Sequence, residues 1–159
     1  MDGFVIRDAV ASDREQIGLL WLYLMQFHNS RDPRFQVPAD GCDHYEKRAI
    51  ELMRSRDGRV IVAQDVATSE VVAYILGELQ VRSHPGSPEV CGLITDMFVV
   101  EEWRRGGIGH ALFDEMKRWF ISRSASAIEL YVADANVDAV QFWRELGMDT
   151  YLHLMHMKL

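Results

Sequence analysis

Val99-Val100-Glu101-Glu102-Trp103-Arg104-Arg105-Gly106-Gly107-Ile108-Gly109-His110 joins an apolar strand to a helix whose Ile108, Ala111, Leu112, Met116 and Trp119 share one face. Glycines at such a junction let the backbone turn tightly and aim successive N–H groups at one point. The positive end of the helix macrodipole points to the same place, so the junction suits a phosphate-like anion. Arg104 and Arg105 add guanidinium forks that match phosphate oxygens. Other phosphate loops fit poorly. A Walker loop needs Gly-Lys-Ser/Thr ahead of its helix, and here His110 follows Gly109. A dinucleotide fingerprint needs a third Gly or Ala near Leu112 and normally belongs to the first strand–helix unit.

Upstream of this junction, Phe4 to Val10 reads as an opening strand. Ser12-Asp13-Arg14-Glu15 has the form of a capping box, and the helix it opens carries Ile17, Leu20, Trp21, Leu24 and Phe27 at helical spacing. Asp32-Pro33-Arg34-Phe35 and Pro38 break that helix. A second helix is expected from about Asp43 to Arg56, ending at Asp57-Gly58. Val60 to Val66 and Val71 to Val81 read as a hairpin through Ala67-Thr68-Ser69-Glu70. His84-Pro85-Gly86-Ser87-Pro88 is a turn cluster, and Val90 to Val100 is the next strand.

Downstream, Ala127 to Ala133 reads as a short strand with Ile128, Leu130 and Val132 on one side. Asn136 caps a helix that ends at Gly147, and Thr150 to Met157 is expected as a last strand. The order is β-α-α-β-β-β-α-β-α-β with no repeat or linker. That order predicts one α/β domain over residues 1–159, with a mixed central sheet flanked by helices.

A chain of 159 residues buries about two thirds of its unfolded surface and needs no disulfides to hold a core. Cys42 and Cys91 have no metal-type spacing and read as reduced thiols of a cytoplasmic protein. The start Met1-Asp2-Gly3-Phe4 lacks the basic and apolar regions of a signal peptide, and no segment has the length of a membrane span. A formal charge of −7 argues against a nucleic-acid partner, which would call for a basic face. No metal site is expected. His153 and His156 would project from opposite sides of a strand.

Two ordered blocks resemble the GNAT superfamily of N-acetyltransferases. Arg104-x-x-Gly107-x-Gly109 after a hydrophobic strand looks like the acetyl-CoA pyrophosphate loop of that family. Asn136-x-x-Ala139-x-x-Phe142-Trp143-x-x-x-Gly147-Met148 is similar to a second block that follows at the family's usual distance. The resemblance implies the GNAT acyl-CoA N-acyltransferase fold, with a mostly antiparallel sheet that opens between the strands at Val90–Val100 and Ala127–Ala133. It implies acetyl-CoA as co-substrate, with backbone groups of Met97, Phe98 and Val99 holding the pantetheine arm. The loop Arg105, Gly106, Gly107, Ile108, Gly109 and His110 would wrap the pyrophosphate, with Asn136 and the Trp143 position near the coenzyme. It also allows a homodimer.

Acetyl transfer to an amine needs a neutral nucleophile. An alkyl amine of pKa about 10.4 is only about 0.04% neutral at pH 7, a handicap of about 4.6 kcal/mol. A base must offset it. Asp96, one residue before the backbone expected to hold pantetheine, is the candidate base; Glu78 on the neighbouring strand is the alternative. His28, Asp32 and Phe35 lie where the family's acceptor loop usually runs.

Two departures stand out. Thr95 occupies a position where several small-amine members carry Glu. Trp143 replaces a family Tyr whose phenol protonates the departing thiolate, which indole cannot do near neutrality. Release of a thiol of pKa about 8.5 as thiolate costs only about 2 kcal/mol at pH 7. Tyr131 or water could deliver that proton. The expected function is therefore N-acetylation of a small-molecule or peptide amine. The rival class is a coenzyme-binding sensor or regulatory module with weak or no catalysis.

Overall fold

Five strands form one sheet in sequence order: β1 (Phe4–Asp8), β2 (Gly58–Asp65), β3 (Val71–His84), β4 (Ser87–Val99) and β5 (Ala127–Leu130). They belong to a computed structural model that describes residues 3–84 and 87–157; of the turn expected over residues 84–88, Pro85 and Gly86 lie outside it, while His84 ends β3 and Ser87 and Pro88 begin β4. The first four strands pair antiparallel and β5 pairs parallel with β4, so the sheet is mixed and mostly antiparallel as expected. A parallel pair needs a crossover, and α3 (Ile108–Ser122) supplies it. The other helices are α1 (Arg14–Asn29), α2 (Gly41–Arg54) and α4 (Val137–Glu145). Among the described residues no helix is long and apolar enough to cross a membrane.

The alternation of β2 and β3 builds two cores. Ile61, Ala63, Ala73 and Ile75 pack with Ile94 against Ile108, Leu112, Phe113, Met116 and Phe120 of α3. Val60, Val62, Tyr74 and Leu76 pack on the other face against Ile17 and Leu20 of α1 and Tyr45, Ala49 and Leu52 of α2. Two strand glycines receive the side chains of α3 on the sheet. A Cβ on Gly92 would stand 2.5 Å from the Phe120 ring, and one on Gly77 would stand 2.7 Å from the Met116 sulfur.

Three expectations are corrected. The chain enters α1 through a 3-10 turn, Ala11–Asp13, and it is Asp13 rather than Glu15 that reaches back to a backbone N–H, accepting from Val10 at 2.8 Å. Arg7 draws Asp13 inward, donating to both carboxylate oxygens at 2.7 and 2.9 Å. Burial raises the Asp13 carboxyl, but the bonds from Arg7 and Val10 outweigh it and hold the group below its ordinary range. Strand β5 ends at Leu130, not Ala133. Residues 150–157 form no strand, and Tyr151, Leu152, Leu154, Met155 and Met157 are 71–88% exposed. Their apolar residues come as doublets, so no register gives one apolar face, and a four-residue β5 offers few backbone bonds to capture them.

The seating of α3 predicts the effect of adding one methyl group. Gly92→Ala should cost about 1–3 kcal/mol, because the Phe120 ring must shift within a packed core. Thermal denaturation reads this, and an unchanged melting temperature would mean that α3 does not rest on the sheet there.

Candidate active site

Strand β4 is paired on both sides only from Cys91 to Ile94, where β5 runs beside it. Beyond that point it keeps β3, with Asp96 opposite Leu76, Met97 opposite Ile75, Phe98 opposite Tyr74 and Val99 opposite Ala73. Its other edge is open there. The register with β3 shifts at the same place, since Gly77 faces Ile94 and Leu76 faces Asp96. Thr95 is therefore the extra residue of a β-bulge, with its hydroxyl 3.5 Å from the Leu76 carbonyl. The bulge reverses the side-chain alternation. Ile94 points into the α3 core, whereas Asp96 shares a face with Leu76 and looks toward α2.

The open edge leads into the glycine loop. A 3-10 turn at Glu101–Trp103 precedes Arg104, and Arg105 and Gly107 both take left-handed backbone conformations, with φ of 62° and 84°. The first helical hydrogen bond is donated by Ala111 to the Gly107 carbonyl at 3.0 Å. Among the described residues, the N–H groups of residues 105–110 find no backbone acceptor. Such a run of free donors at a helix start is an anion cradle. Arg104 does not join it; its guanidinium turns back to the Val99 carbonyl at 3.0 Å and lies 5.7 Å from the Phe98 ring centre. Arg105 remains exposed.

The two sequence blocks meet in space. Phe142 of α4 lies against Gly109, where a Cβ would stand 3.1 Å from its ring, and packs edge-on to His110 with ring centres 5.3 Å apart. Asn136 caps α4 by accepting the Ala139 N–H at 3.3 Å, so its carbonyl is occupied. Gly147 closes the helix at φ 87°. Trp143, placed near the coenzyme by resemblance, is a core residue here: it is 8% exposed and packs edge-on to Phe113 and Phe142. Tyr131, just past β5, is 80% exposed.

Asp96 is the perturbed group of this region. Burial pushes its carboxyl up to about 6, against an opposing hydrogen bond from Tyr45. The other candidate acids are already paired. Glu78 is held by Arg48 of α2 at 2.5 Å. Asp32 is clasped by the Arg34 side chain and backbone, which hold it down at about 2. His28 is stacked on Phe35 at 4.9 Å, and burial and then Arg31 lower its pKa, which keeps the ring neutral at pH 7. Asn29 donates to the Phe35 carbonyl at 2.6 Å. The α1–α2 connection is thus a self-satisfied turn. Sequence reasoning missed Tyr45 and Tyr74, which flank Asp96. A tyrosine in the buried stripe Tyr45, Ala49, Leu52 is the available signal, since a buried hydroxyl needs a partner. Among the described residues no three His, Cys, Asp or Glu side chains cluster as metal ligands would.

A sequence profile described as the Acetyltransferase (GNAT) family matches residues 23–148. No curated protein matches significantly. Among solved structures, a tetramutant of the BH1408 protein from Bacillus halodurans superposes with a TM-score of 0.84 at 24% identity, covering 98% of this chain and 99% of that one. Aminoglycoside N-acetyltransferase AAC(6')-Iy in complex with CoA gives 0.75 at 14% identity, covering 100% and 96%. Glucosamine-6-phosphate N-acetyltransferase from Arabidopsis thaliana gives 0.75 at 16% identity, covering 99% of this chain and 99% of that one. At these identities the likeness is one of fold.

Two outcomes follow from the geometry. Gly107→Val puts a branched side chain at φ 84° within the cradle, so the variant should lose any rise in melting temperature on adding acetyl-CoA; an undiminished rise would show the anion binds elsewhere. For Asp96 the folded pKa lies above the unfolded value, so the native state binds the proton more tightly. The group therefore costs stability as pH rises from about 4 to about 6, by up to about 3 kcal/mol. Asp96→Asn should accordingly be the more stable protein at pH 7 and equal to wild type near pH 4, as read by denaturant titration.

Proposed function

Because the chain belongs to the Acetyltransferase (GNAT) family, we propose that it transfers an acetyl group from acetyl-CoA to an amine. The observation that carries this reading is the placement of Asp96 at the start of an open strand edge that runs directly into an unbonded anion cradle. The residues present fit the coenzyme. The N–H groups of residues 105–110 and the Arg105 guanidinium would hold the pyrophosphate, and backbone groups of Met97 and Phe98 would hold the pantetheine arm. Val99 contributes less, since Arg104 takes its carbonyl. When bound, the coenzyme supplies an acetyl thioester.

The chain's own part is proton management. A carboxyl at about 6 is roughly nine-tenths ionised at pH 7, so it is available as a base. Its rise from 3.8 to about 6 brings it about 3 kcal/mol closer to an ammonium group than an ordinary aspartate. It accepts a proton as the amine nitrogen forms its bond to the acetyl carbon. With Trp143 in the core, proton delivery to the departing sulfur falls to water or Tyr131, and thiolate release at pH 7 costs only about 2 kcal/mol.

The acceptor is read as a cationic small-molecule or peptide amine, and the protein as a single-domain enzyme acting without a metal. Thiol release from acetyl-CoA across a panel of amines tests the activity, beginning with an aminoglycoside and glucosamine 6-phosphate, the acceptors named for two structural relatives. The burial of Trp143 and the pairing of Glu78 and Asp32 favour one second reading, a coenzyme-binding regulatory module. Coenzyme binding with no release above the spontaneous rate for any amine would establish it instead.

Asp96→Asn should lower turnover by about 10²–10⁴-fold while leaving coenzyme affinity unchanged. The carboxylate is the active form, so the wild-type rate should rise through a limb near pH 6 that the variant lacks. Wild-type turnover from pH 5 to 9 in the variant would remove Asp96 from the chemistry.

A further inference from the structure

Tyr45 of α2 lies with its ring face on Trp21 of α1, centres 4.8 Å apart and planes within 13°. Trp21 in turn fills the space above Gly41, where a Cβ would meet its ring at 2.9 Å. The stack leaves the Tyr45 ring little freedom beyond rotation of its hydroxyl hydrogen. That hydroxyl stands 3.4 Å from the hydroxyl of Tyr74, which is fully buried on β3. Asp96 lies on the same face, opposite Leu76 and next to the Tyr74–Phe98 pair, with the Tyr45 hydroxyl acting on its carboxyl as a donor. Hydroxyls from α2 and β3 and a half-buried carboxyl from β4 thus share this side of the sheet.

We propose that Tyr45 is a positioning residue that sets the proton affinity of Asp96 by switching its hydroxyl between donor and acceptor, an inference that rests on the reading of Asp96 as the base. A hydroxyl is a neutral group able to play both parts. With Asp96 ionised, Tyr45 donates to the carboxylate and Tyr74 donates to Tyr45. With Asp96 protonated, its O–H donates to Tyr45, and Tyr45 donates to Tyr74. The Tyr74 O–H has an acceptor in Tyr45 only while Asp96 is ionised; protonation leaves that buried donor unpaired, so the Tyr45 hydroxyl favours the carboxylate.

The tyrosines remain neutral throughout. Burial, then Tyr74 and Asp96, push the Tyr45 phenol well above its ordinary value, and burial and Asp96 do the same to Tyr74. The charged groups nearby on the same face are engaged elsewhere: Arg48 of α2 with Glu78 of β3, and Arg14 of α1 with Glu46 of α2 at 3.7 Å. Tyr45 is therefore the polar group left to tune the carboxyl.

The test is the titration midpoint of the Asp96 carboxyl, read by carbon-13 NMR and assigned with Asp96→Asn, beside the pH profile of turnover. Tyr45→Phe should strengthen proton binding by Asp96 about threefold to tenfold, the worth of one hydrogen bond, and move the rising limb of the rate by the same amount. Incorporating 3-fluorotyrosine at position 45, a stronger donor of nearly the same shape, should shift both in the opposite direction. This second variant carries the test if Tyr45→Phe does not fold. An unmoved Asp96 midpoint in the folded variants overturns the proposal. Midpoints that move while the rate profile stays fixed support Tyr45 as the tuning group and reject Asp96 as the base.

Discussion

One extra residue in β4 governs the arrangement of the whole site. Side chains two apart on a strand share a face, yet Ile94 belongs to the α3 core and Asp96 to the α2 side. Thr95 makes the difference by adding a residue that β3 does not match. Bulges also increase local twist, and the parallel pairing with β5 stops at Ile94, immediately before it. A single bulge thus coincides with both a turned carboxyl and an exposed backbone edge. A regular strand would aim Asp96 at Met116 and Phe120, where a charge could not be solvated.

The glycine loop depends on the same strand through α3. Gly77 and Gly92 let Met116 and Phe120 rest directly on β3 and β4, which fixes the helix whose first turn offers the free N–H groups. Phe142 packs against Gly109 and ties α4 to that turn. The helix start that carries the free N–H groups is therefore held in place by packing on two sides. The α1–α2 connection is built differently, as an exposed turn closed by its own side chains.

Much of this was legible from residue order. The glycine loop, Asn136 and Gly147 are read correctly because each signal is local: a backbone conformation or a cap depends on residues a few positions apart. Strands β2 to β4 follow from their apolar runs for the same reason. What escaped needed partners distant in sequence. Asp13 replaced Glu15 at the start of α1 because Arg7, on the preceding strand, drew it inward. The strand expected at 150–157 failed for lack of an edge to hold it. Glu78, the alternative base, is taken by Arg48 from 30 positions earlier in the chain. Tyr45 and Tyr74 stand 29 positions apart, and nothing local joins either to Asp96.

The bulge also bears on how such a chain can change over generations. Losing the Thr95 codon would remove the bulge yet leave Asp96 opposite Leu76 and every later side chain of β4 on its present face. Losing a codon of β4 outside the bulge would instead slip the pairing by one and turn the side chains after it to the opposite face. Insertions in the α1–α2 turn carry no such parity. Length variation is thereby channelled into that turn, while β4 outside the bulge is left to vary by substitution.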